Sequence, residues 1–179
     1  VGDGIVVDVS KHFTSIIEFN KEESWVRVEP GVVRDELNEF LADEGYFFGP
    51  NTSTANRCMI GGMVGNNSSG TTSIKYGVTR DHVLELESIL SDGSEATFYK
   101  RNEEAQNVDG FEGEIYNRIK ALLDEDGARA EILEHFPKPS IHRRNTGYAI
   151  DELAKQEGYT DLTKLLTGSE GTLALTTSI

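Results

Sequence analysis

The sequence has few of the residues that metal centres and disulfide frameworks require. Its 179 residues contain a single cysteine, Cys58, which excludes an internal disulfide and any set of thiolates for zinc or an iron–sulfur cluster. The four histidines lack the close spacings typical of metal ligands. We therefore expect no metal site within this chain.

Long apolar runs are also missing. None approaches the roughly 18 consecutive apolar residues that a membrane-spanning helix needs, so we expect no membrane span. A cytoplasmic location is the default expectation, and peripheral attachment of the intact protein to a membrane is the alternative.

Basic residues are too few to support binding to a polyanion. The chain has 17 Lys and Arg against 31 Asp and Glu, which gives a formal net charge of −14. Because binding to nucleic acid or to an anionic membrane surface needs clustered cations, we expect neither partner. The one basic cluster, Arg143 and Arg144 next to His142, leaves two interpretations open: one arginine clamps a substrate carboxylate, or both are solvated surface charges.

Acidic residues, in contrast, are absent from one stretch, residues 45–80. An even spread would place about six there. The stretch holds seven glycines, thirteen Ser, Thr or Asn, and the cations Arg57, Lys75 and Arg80. Glycine-rich loops bind phosphate through backbone N–H groups, so this stretch predicts an anion site at Gly61-Gly62 and residues 66–70. A polar surface loop is the alternative.

The periodicity of apolar residues predicts an α+β fold. Predicted strands cover residues 5–9, 15–19, 24–28, 82–90, 95–99 and 172–179, and predicted helices cover residues 32–45, 113–123, 128–136, 148–157 and 161–166. Residues 91–94, Ser-Asp-Gly-Ser, predict a hairpin turn, so part of the sheet is antiparallel. No G-x-G-x-x-G follows the first strand, which disfavours a Rossmann fold. A second glycine-containing turn at residues 167–172 indicates close backbone approach to a ligand, or a plain loop.

Four ordered motifs carry a family resemblance. They are VRVEPGVVRDELNEFLADEGYFFGPNTSTANR, CMIGGMVGNNSSG, YGVTRDHVLELESILSDGS and GSEGTLALTT. The chain resembles the FAD-linked oxidases with the PCMH-type FAD-binding domain of the vanillyl-alcohol oxidase fold. Within that family it is similar to the glycolate oxidase, D-lactate dehydrogenase and D-2-hydroxyglutarate dehydrogenase branch.

The resemblance implies a two-lobed FAD-binding domain. Residues 1–49 form the small sheet-and-helix lobe, and residues 50–179 form a larger lobe with an antiparallel sheet, flanking helices and the cofactor loops. By this resemblance the chain is a fragment of one such domain. The first phosphate loop is expected before Ile5, and the substrate domain, with the catalytic residues, is expected after Ile179.

The resemblance also implies which residues bind FAD. The run expected along the flavin and its phosphates is Pro50, Asn51, Thr52, Ser53 and Thr54, and the pair that permits close backbone approach is Gly61 and Gly62. The run expected at the pyrophosphate or ribityl oxygens is Asn66, Asn67, Ser68, Ser69 and Gly70. The run expected to close over the cofactor is Glu170, Gly171, Thr172 and Leu173. Arg57, Lys75 or Arg80 would favour the anionic reduced flavin. Any iron–sulfur cluster is expected only outside this chain.

The implied activity is the oxidation of a 2-hydroxy acid of the D-lactate, glycolate or D-2-hydroxyglutarate type to the 2-oxo acid, with hydride transfer to the flavin. The electron acceptor is left open, and the fragment alone is expected to be inactive. Three alternatives stay open: a flavin oxidase of sugar acids or lactones in the same fold, a non-catalytic module that binds a nucleotide or phosphate, and a purely structural domain.

Overall fold

The α+β prediction is confirmed by the structure, a computed structural model that describes residues 4–102, 108–138, 140–141 and 147–179. The strands are β1 (Ile16–Asn20), β2 (Trp25–Val28), β3 (Glu85–Ile89), β4 (Glu95–Tyr99), β5 (Arg101–Asn102), β6 (Tyr159–Thr160) and β7 (Leu175–Ser178). The helices are α1 (Arg34–Ala42), α2 (Ile60–Gly65), α3 (Ser73–Tyr76), α4 (Thr79–His82), α5 (Gly110–Asp124), α6 (Ala128–His135), α7 (Ile150–Ala154) and α8 (Thr163–Leu166).

The strands form small antiparallel sheets. β1 pairs with β2, β5 pairs with β6, and β3 lies between β4 and β7. The predicted hairpin is confirmed, with Glu85 opposite Tyr99 and Ile89 opposite Glu95. Its turn is closed by the Leu90 N–H, which donates to the Ser94 carbonyl at 2.8 Å.

Two hydrophobic clusters hold the elements together. The first joins β2, α1 and α2 through Val28, Val32, Leu37, Leu41, Ile60 and Met63. The second packs α5, α7 and α8 against β3 and β4, and its most deeply buried members are Leu86, Phe98 and Leu162. Burial of this apolar surface is the main favourable term for both groups of elements.

Helix α2 lies between the two clusters. Ile60 and Met63 belong to the first cluster, whereas Val64 belongs to the second. Val28 and Ile179 add a second connection, since each donates its backbone N–H to the carbonyl of the other at 2.9 Å. The boundary between lobes near residue 49 stays a prediction, and the first cluster reaches past it to Met63.

The prediction of a buried strand at residues 5–9 is wrong. These residues form no strand, and Ile5 and Val6 are 93% and 88% exposed. A continuous apolar run indicates burial only where other elements cover both of its faces. Within the described part of the chain no element covers Ile5 and Val6.

Several predicted boundaries also shift. The strand predicted at residues 82–90 starts at Glu85, because residues 79–82 form the helical turn α4, in which the Val78 N–H donates to the Asp81 carboxylate at 2.9 Å. The helix predicted at residues 148–157 is limited to Ile150–Ala154. The polar connector predicted at residues 101–110 starts with β5 and ends with Gly110 in α5, and its residues 103–107 lie outside the described residues.

Candidate functional site

A cleft of about 780 Å³ lies between helix α2 and the turn that precedes β7. One wall is formed by Gly61, Gly62 and Gly65, and a second wall by residues 169–173. Other lining residues include Val7, Val9, Pro30, Leu90 and Leu175. We refer to this space as the glycine cleft. Its volume is within the range of about 300–1,000 Å³ that is usual for small-molecule sites.

Two backbone hydrogen bonds connect the walls of the glycine cleft. The Gly168 N–H donates to the Val64 carbonyl, and the Glu170 N–H donates to the Gly65 carbonyl, each at 2.8 Å. The last turn of a helix leaves carbonyls without intrahelical partners, and here the second glycine-containing segment supplies their donors. The structure therefore brings together two segments that are about a hundred residues apart in the sequence.

The three glycines of α2 differ in what surrounds them. A Cβ at Gly61 would lie 2.5 Å from the Pro30 Cβ, so the packing of Pro30 against α2 is enough to require glycine there. A Cβ at Gly62 or Gly65 would meet nothing within 4 Å. Each glycine costs a helix about 1 kcal/mol relative to alanine. Because no described protein atom requires Gly62 or Gly65, the open wall they leave suits a ligand that approaches the backbone closely.

The second wall contains two consecutive residues in the left-handed region. Glu170 has φ +56° and Gly171 has φ +71°. A non-glycine residue in this region is strained, and such residues occur often at ligand sites. The Glu170 N–H bond to Gly65 holds this conformation, and Thr172 closes the turn by donating its hydroxyl to the Ser169 carbonyl at 2.5 Å.

Residues 66–70, predicted to bind phosphate or ribityl oxygens, do not line the glycine cleft; Asn66 is exposed, whereas Asn67 and Gly70 pack against protein. Asn67 is 1% exposed, and its Oδ1 accepts the Arg80 N–H at 2.9 Å. The Ser68 carbonyl accepts both the N–H and the hydroxyl of Thr79, at 3.0 and 2.7 Å. A Cβ at Gly70 would lie 1.7 Å from the Asn51 carbonyl oxygen, so this glycine is required by close packing of two loops.

Residues 50–54 lie within the acid-free stretch, where residues 50–52 are irregular and residues 53–57 form a turn, and they do not line the glycine cleft either. The Pro50 carbonyl accepts a hydrogen bond from Arg34 Nε at 3.1 Å. Thr52 Oγ1 lies 3.3 Å from both Thr54 Oγ1 and Cys58 Sγ. Of the predicted site residues, the cleft therefore brings together Gly61, Gly62, Glu170, Gly171, Thr172 and Leu173, and the role of every predicted residue in binding stays a prediction.

The cleft lining also contains residues outside the predicted set, among them Gly65 and Pro30. Gly65 could have been found, because glycines at positions i and i+4 lie on the same face of a helix. Pro30 gave a different signal, since Pro30-Gly31 marks the end of β2. Its contact with Gly61 depends on the packing of α2 against the first cluster, which local sequence does not encode.

Among the described residues that line the cleft, Glu170 carries the only charged side chain. Arg57 is exposed and donates to the Asn56 side chain, and the Lys75 ammonium lies 5.0 Å from the centroid of the Tyr76 ring. Arg80 is buried and donates to backbone carbonyls. None of these three cations lines the cleft, so an anion there would bind to backbone N–H groups and to hydroxyls of the lining such as that of Ser91.

A second cavity of about 440 Å³ lies at the other end of the β3–β7 pair. Its lining includes the aromatic residues Trp25, Phe47, Phe48 and His82. Arg27 crosses this region from β2 to β3 and forms ion pairs with Glu85 and Glu87 at 2.8 and 2.5 Å. The lining of this cavity contains no glycine, and its Arg27 guanidinium is already paired with two carboxylates, so it suits a phosphate group less well than the glycine cleft does.

Other predicted features have different outcomes. Arg143 and Arg144 lie outside the described residues, so the carboxylate-clamp hypothesis stays a prediction. Over the part of the chain that the structure describes, no helix combines the length and the apolar character needed to cross a bilayer. In the same residues no group of three or more His, Cys, Asp or Glu is arranged to hold a metal ion.

The fold and the cleft together define a class: an α+β chain in which two glycine-containing segments, joined by backbone hydrogen bonds, line one cleft. A family model described as FAD binding domain matches residues 1–98. The chain belongs to this FAD-binding family.

Curated relatives are similar in sequence to almost the whole chain. The D-2-hydroxyglutarate dehydrogenase of Pseudomonas putida is 42% identical over 176 residues, which cover 96% of this chain and 17% of that protein. The enzyme of the same name from Escherichia coli is 42% identical over 182 residues, covering 99% of this chain and 18% of that protein. The chain thus spans less than a fifth of the length of these relatives.

More distant relatives match over a shorter part. A mitochondrial D-lactate dehydrogenase [cytochrome] of Saccharomyces cerevisiae is 32% identical over 101 residues, covering 56% of this chain and 17% of that protein. Among solved structures, an alkyldihydroxyacetonephosphate synthase matches with a TM-score of 0.52 and 17% identity, covering 94% of this chain and 20% of that protein. At this identity the structural match shows the fold alone.

The residues of the glycine cleft fit FAD. Open space beside Gly62 and Gly65 permits close approach of a diphosphate, and the apolar residues Val7, Leu90 and Leu175 offer surface for a planar ring. Glu170 would repel a diphosphate, so it suits the hydroxyl groups of the cofactor instead. Two N–H groups, those of Gly61 and Glu170, already donate to Pro30 and Gly65, which leaves Gly62 and Gly171 as the donors we expect.

Proposed function

We propose that this chain forms the FAD-binding part of a flavin-dependent dehydrogenase that oxidises a D-2-hydroxy acid to the 2-oxo acid. One observation carries the proposal: the match to D-2-hydroxyglutarate dehydrogenases extends over 96–99% of the chain, whereas the match to a D-lactate dehydrogenase extends over 56%. D-2-hydroxyglutarate is therefore the substrate that we favour over D-lactate and glycolate.

In this proposal the glycine cleft holds the cofactor. The α2 wall accepts the diphosphate beside Gly62 and Gly65, and Gly171 donates from the other side. The Glu170 carboxylate accepts hydrogen bonds from cofactor hydroxyls, because its negative charge disfavours phosphate at the same place. Bound FAD supplies the group that accepts a hydride from the substrate carbon.

The ten predicted residues outside the lining have a supporting role in the proposal. Residues 66–70 follow the end of α2, where the Ser68 N–H donates to the Met63 carbonyl at 2.8 Å, and Gly70 packs on Asn51 of the other run. In the proposal these contacts support the end of α2, which carries the wall for the diphosphate. Direct contact between these residues and the flavin stays a prediction.

We assign no base for the substrate hydroxyl proton to residues of this chain. An electron acceptor is likewise unassigned, and any iron–sulfur cluster would need ligands from elsewhere, because the chain has one cysteine. A cytoplasmic location, with or without peripheral attachment to a membrane, stays a prediction.

The test is the visible absorption of the purified intact protein and its response to substrate without oxygen. We expect a flavin spectrum that D-2-hydroxyglutarate bleaches, and that D-lactate, glycolate and L-2-hydroxyglutarate bleach slowly or not at all. A colourless protein that binds ADP but not FAD would contradict the proposal and support a nucleotide-binding module. Bleaching by a sugar acid or lactone alone would support the flavin oxidase of the alternative reading.

A further inference from the structure

Arg80 lies where the two glycine-containing segments approach each other, although it does not line the glycine cleft. The residue is on the short helix α4 and is only 9% exposed. Its Nη2 donates to the Thr167 carbonyl at 2.6 Å, and its Nε donates to the Lys164 carbonyl at 2.8 Å. Charged donors form stronger hydrogen bonds than neutral ones, so this contact fixes the end of α8 firmly.

The same connection is made in the opposite direction by Lys164. Its Nζ donates to the Arg80 carbonyl at 2.9 Å and to the Val83 carbonyl at 3.2 Å. The two cations therefore bind each other's backbones, and α4 and α8 are joined by a reciprocal pair of charged donors. A reciprocal pair restricts both the separation and the rotation of the two helices.

The backbone of Arg80 extends the connection to the first glycine-containing segment. Its N–H donates to Asn67 Oδ1 at 2.9 Å, and Asn67 is buried in the left-handed region with φ +49°. A single residue thus holds residues 66–70 with its backbone and residues 164–167 with its side chain. Substitution of Arg80 would remove the side-chain bonds to residues 164–167 and keep the backbone bond to Asn67, so the two segments would no longer be held to each other by the guanidinium.

Gly168 shows how closely the guanidinium approaches the second segment. A Cβ at Gly168 would lie 2.7 Å from Arg80 Nη2, and Gly168 has φ +98°, where other residues are strained. From Gly168 onward the segment donates its N–H groups to Val64 and Gly65. The guanidinium therefore fixes the segment immediately before it becomes the wall of the cleft.

We propose that Arg80 is a positioning residue of the glycine cleft: by holding the Thr167 carbonyl and the Asn67 side chain, it sets the distance between the α2 wall and the 169–173 wall. The proposal rests on the proposed FAD binding in that cleft. Arg80 acts through the walls and does not touch the cofactor.

Arg129 provides a matched control. Its Nη1 also donates to backbone carbonyls, those of Ala154 and Gln156, both at 2.9 Å. It is partly buried on α6 and holds the end of α7, and it does not line the cleft. Arg129→Met therefore removes a comparable set of bonds without disturbing either cleft wall.

The experiment measures the FAD dissociation constant, the visible circular dichroism of the bound flavin and the melting temperature of the apoprotein, for the intact protein and its variants. We expect Arg80→Met to weaken FAD binding about ten-fold or more, since two carbonyls lose charged donors. It should also change the flavin dichroism. Arg129→Met should lower the melting temperature but leave the dissociation constant and the dichroism unchanged.

Two further variants keep the test decisive if Arg80→Met does not fold. Arg80→Lys keeps the charge but can serve fewer carbonyls, so we expect intermediate weakening, and Gly168→Ala should weaken FAD binding by displacing the guanidinium. If Arg80 and Arg129 variants affect FAD binding only in proportion to their loss of stability, the inference is wrong. If the unmodified protein does not bind FAD, the proposed function fails instead.

Discussion

Substitution of Gly62 by alanine separates a ligand requirement from a packing requirement. A Cβ at this position would meet no atom within 4 Å, whereas a Cβ at the adjacent Gly61 would lie 2.5 Å from the Pro30 Cβ. Both residues are in α2 and both line the glycine cleft. The two variants therefore differ in whether protein or ligand opposes the added methyl group.

The expected magnitudes follow from this difference. Alanine in place of glycine favours a helix by about 1 kcal/mol, so Gly62→Ala should leave the apoprotein as stable as before or slightly more stable. Gly61→Ala gains the same helix stabilisation, but its methyl group overpacks against Pro30, which costs about 1–3 kcal/mol. If bound FAD occupies the space beside Gly62, the methyl group should oppose it at a similar cost, or about a 5- to 150-fold increase in the dissociation constant.

The assay combines urea denaturation of the apoproteins with titration of FAD into each. We expect Gly62→Ala to retain its free energy of unfolding and to lose affinity for FAD, and Gly61→Ala to lose both. Unchanged affinity in a stable Gly62→Ala protein would refute the reasoning, because it would show that the α2 wall does not face the cofactor.

Three further predictions concern stability. Burial raises the pKa of Tyr116 to about 12, although the Arg101 guanidinium opposes the shift. Because the unfolded chain then releases the phenolic proton at a lower pH than the folded protein does, the free energy of unfolding should fall by about 2 kcal/mol between pH 10 and pH 12, and urea denaturation of Tyr116→Phe should show a smaller fall. Leu86→Ala, at a side chain with no exposure, should cost about 2–5 kcal/mol by the same assay, while Leu84→Ala, at 63% exposure, should cost less than about 0.5 kcal/mol. Arg27→Met breaks two ion pairs of partly exposed side chains and should cost about 1 kcal/mol or less at low salt, a difference that should shrink in denaturation curves at high salt.

Features of the fold that depend on neighbours in the sequence could be predicted. The β3–β4 hairpin follows from its alternating strands and from the Asp92-Gly93 turn, in which Asp92 accepts the Ser94 N–H at 2.9 Å. Helix α1 follows from apolar residues at helical spacing, with Gly45 ending it at φ +80°. Both rest on local backbone preferences, which the residues themselves carry.

Features that depend on distant segments could not be predicted in the same way. Residues 5–9 have the composition of a buried strand, but burial depends on what covers them. Composition also could not separate Gly62, which faces open space, from Gly70, which packs on Asn51. The bond from Gly168 to Val64 decides which glycines meet at the cleft, and such a long-range contact leaves no local pattern.

The position of Arg80 illustrates the same limit. The acid-free stretch identified it as a cation near an anion site, but its guanidinium is directed to the carbonyls of Lys164 and Thr167. Net charge in a stretch of sequence therefore did not indicate which donors face the cleft. The structure favours backbone N–H groups for that role.

A crystal structure of the intact protein with bound FAD tests the central claim most directly. The account predicts a diphosphate in the glycine cleft, within hydrogen-bond distance of the Gly62 and Gly171 N–H groups and beside the open face of Gly65. A diphosphate in the aromatic cavity lined by Trp25 and Phe48, or at any site away from α2, would contradict it.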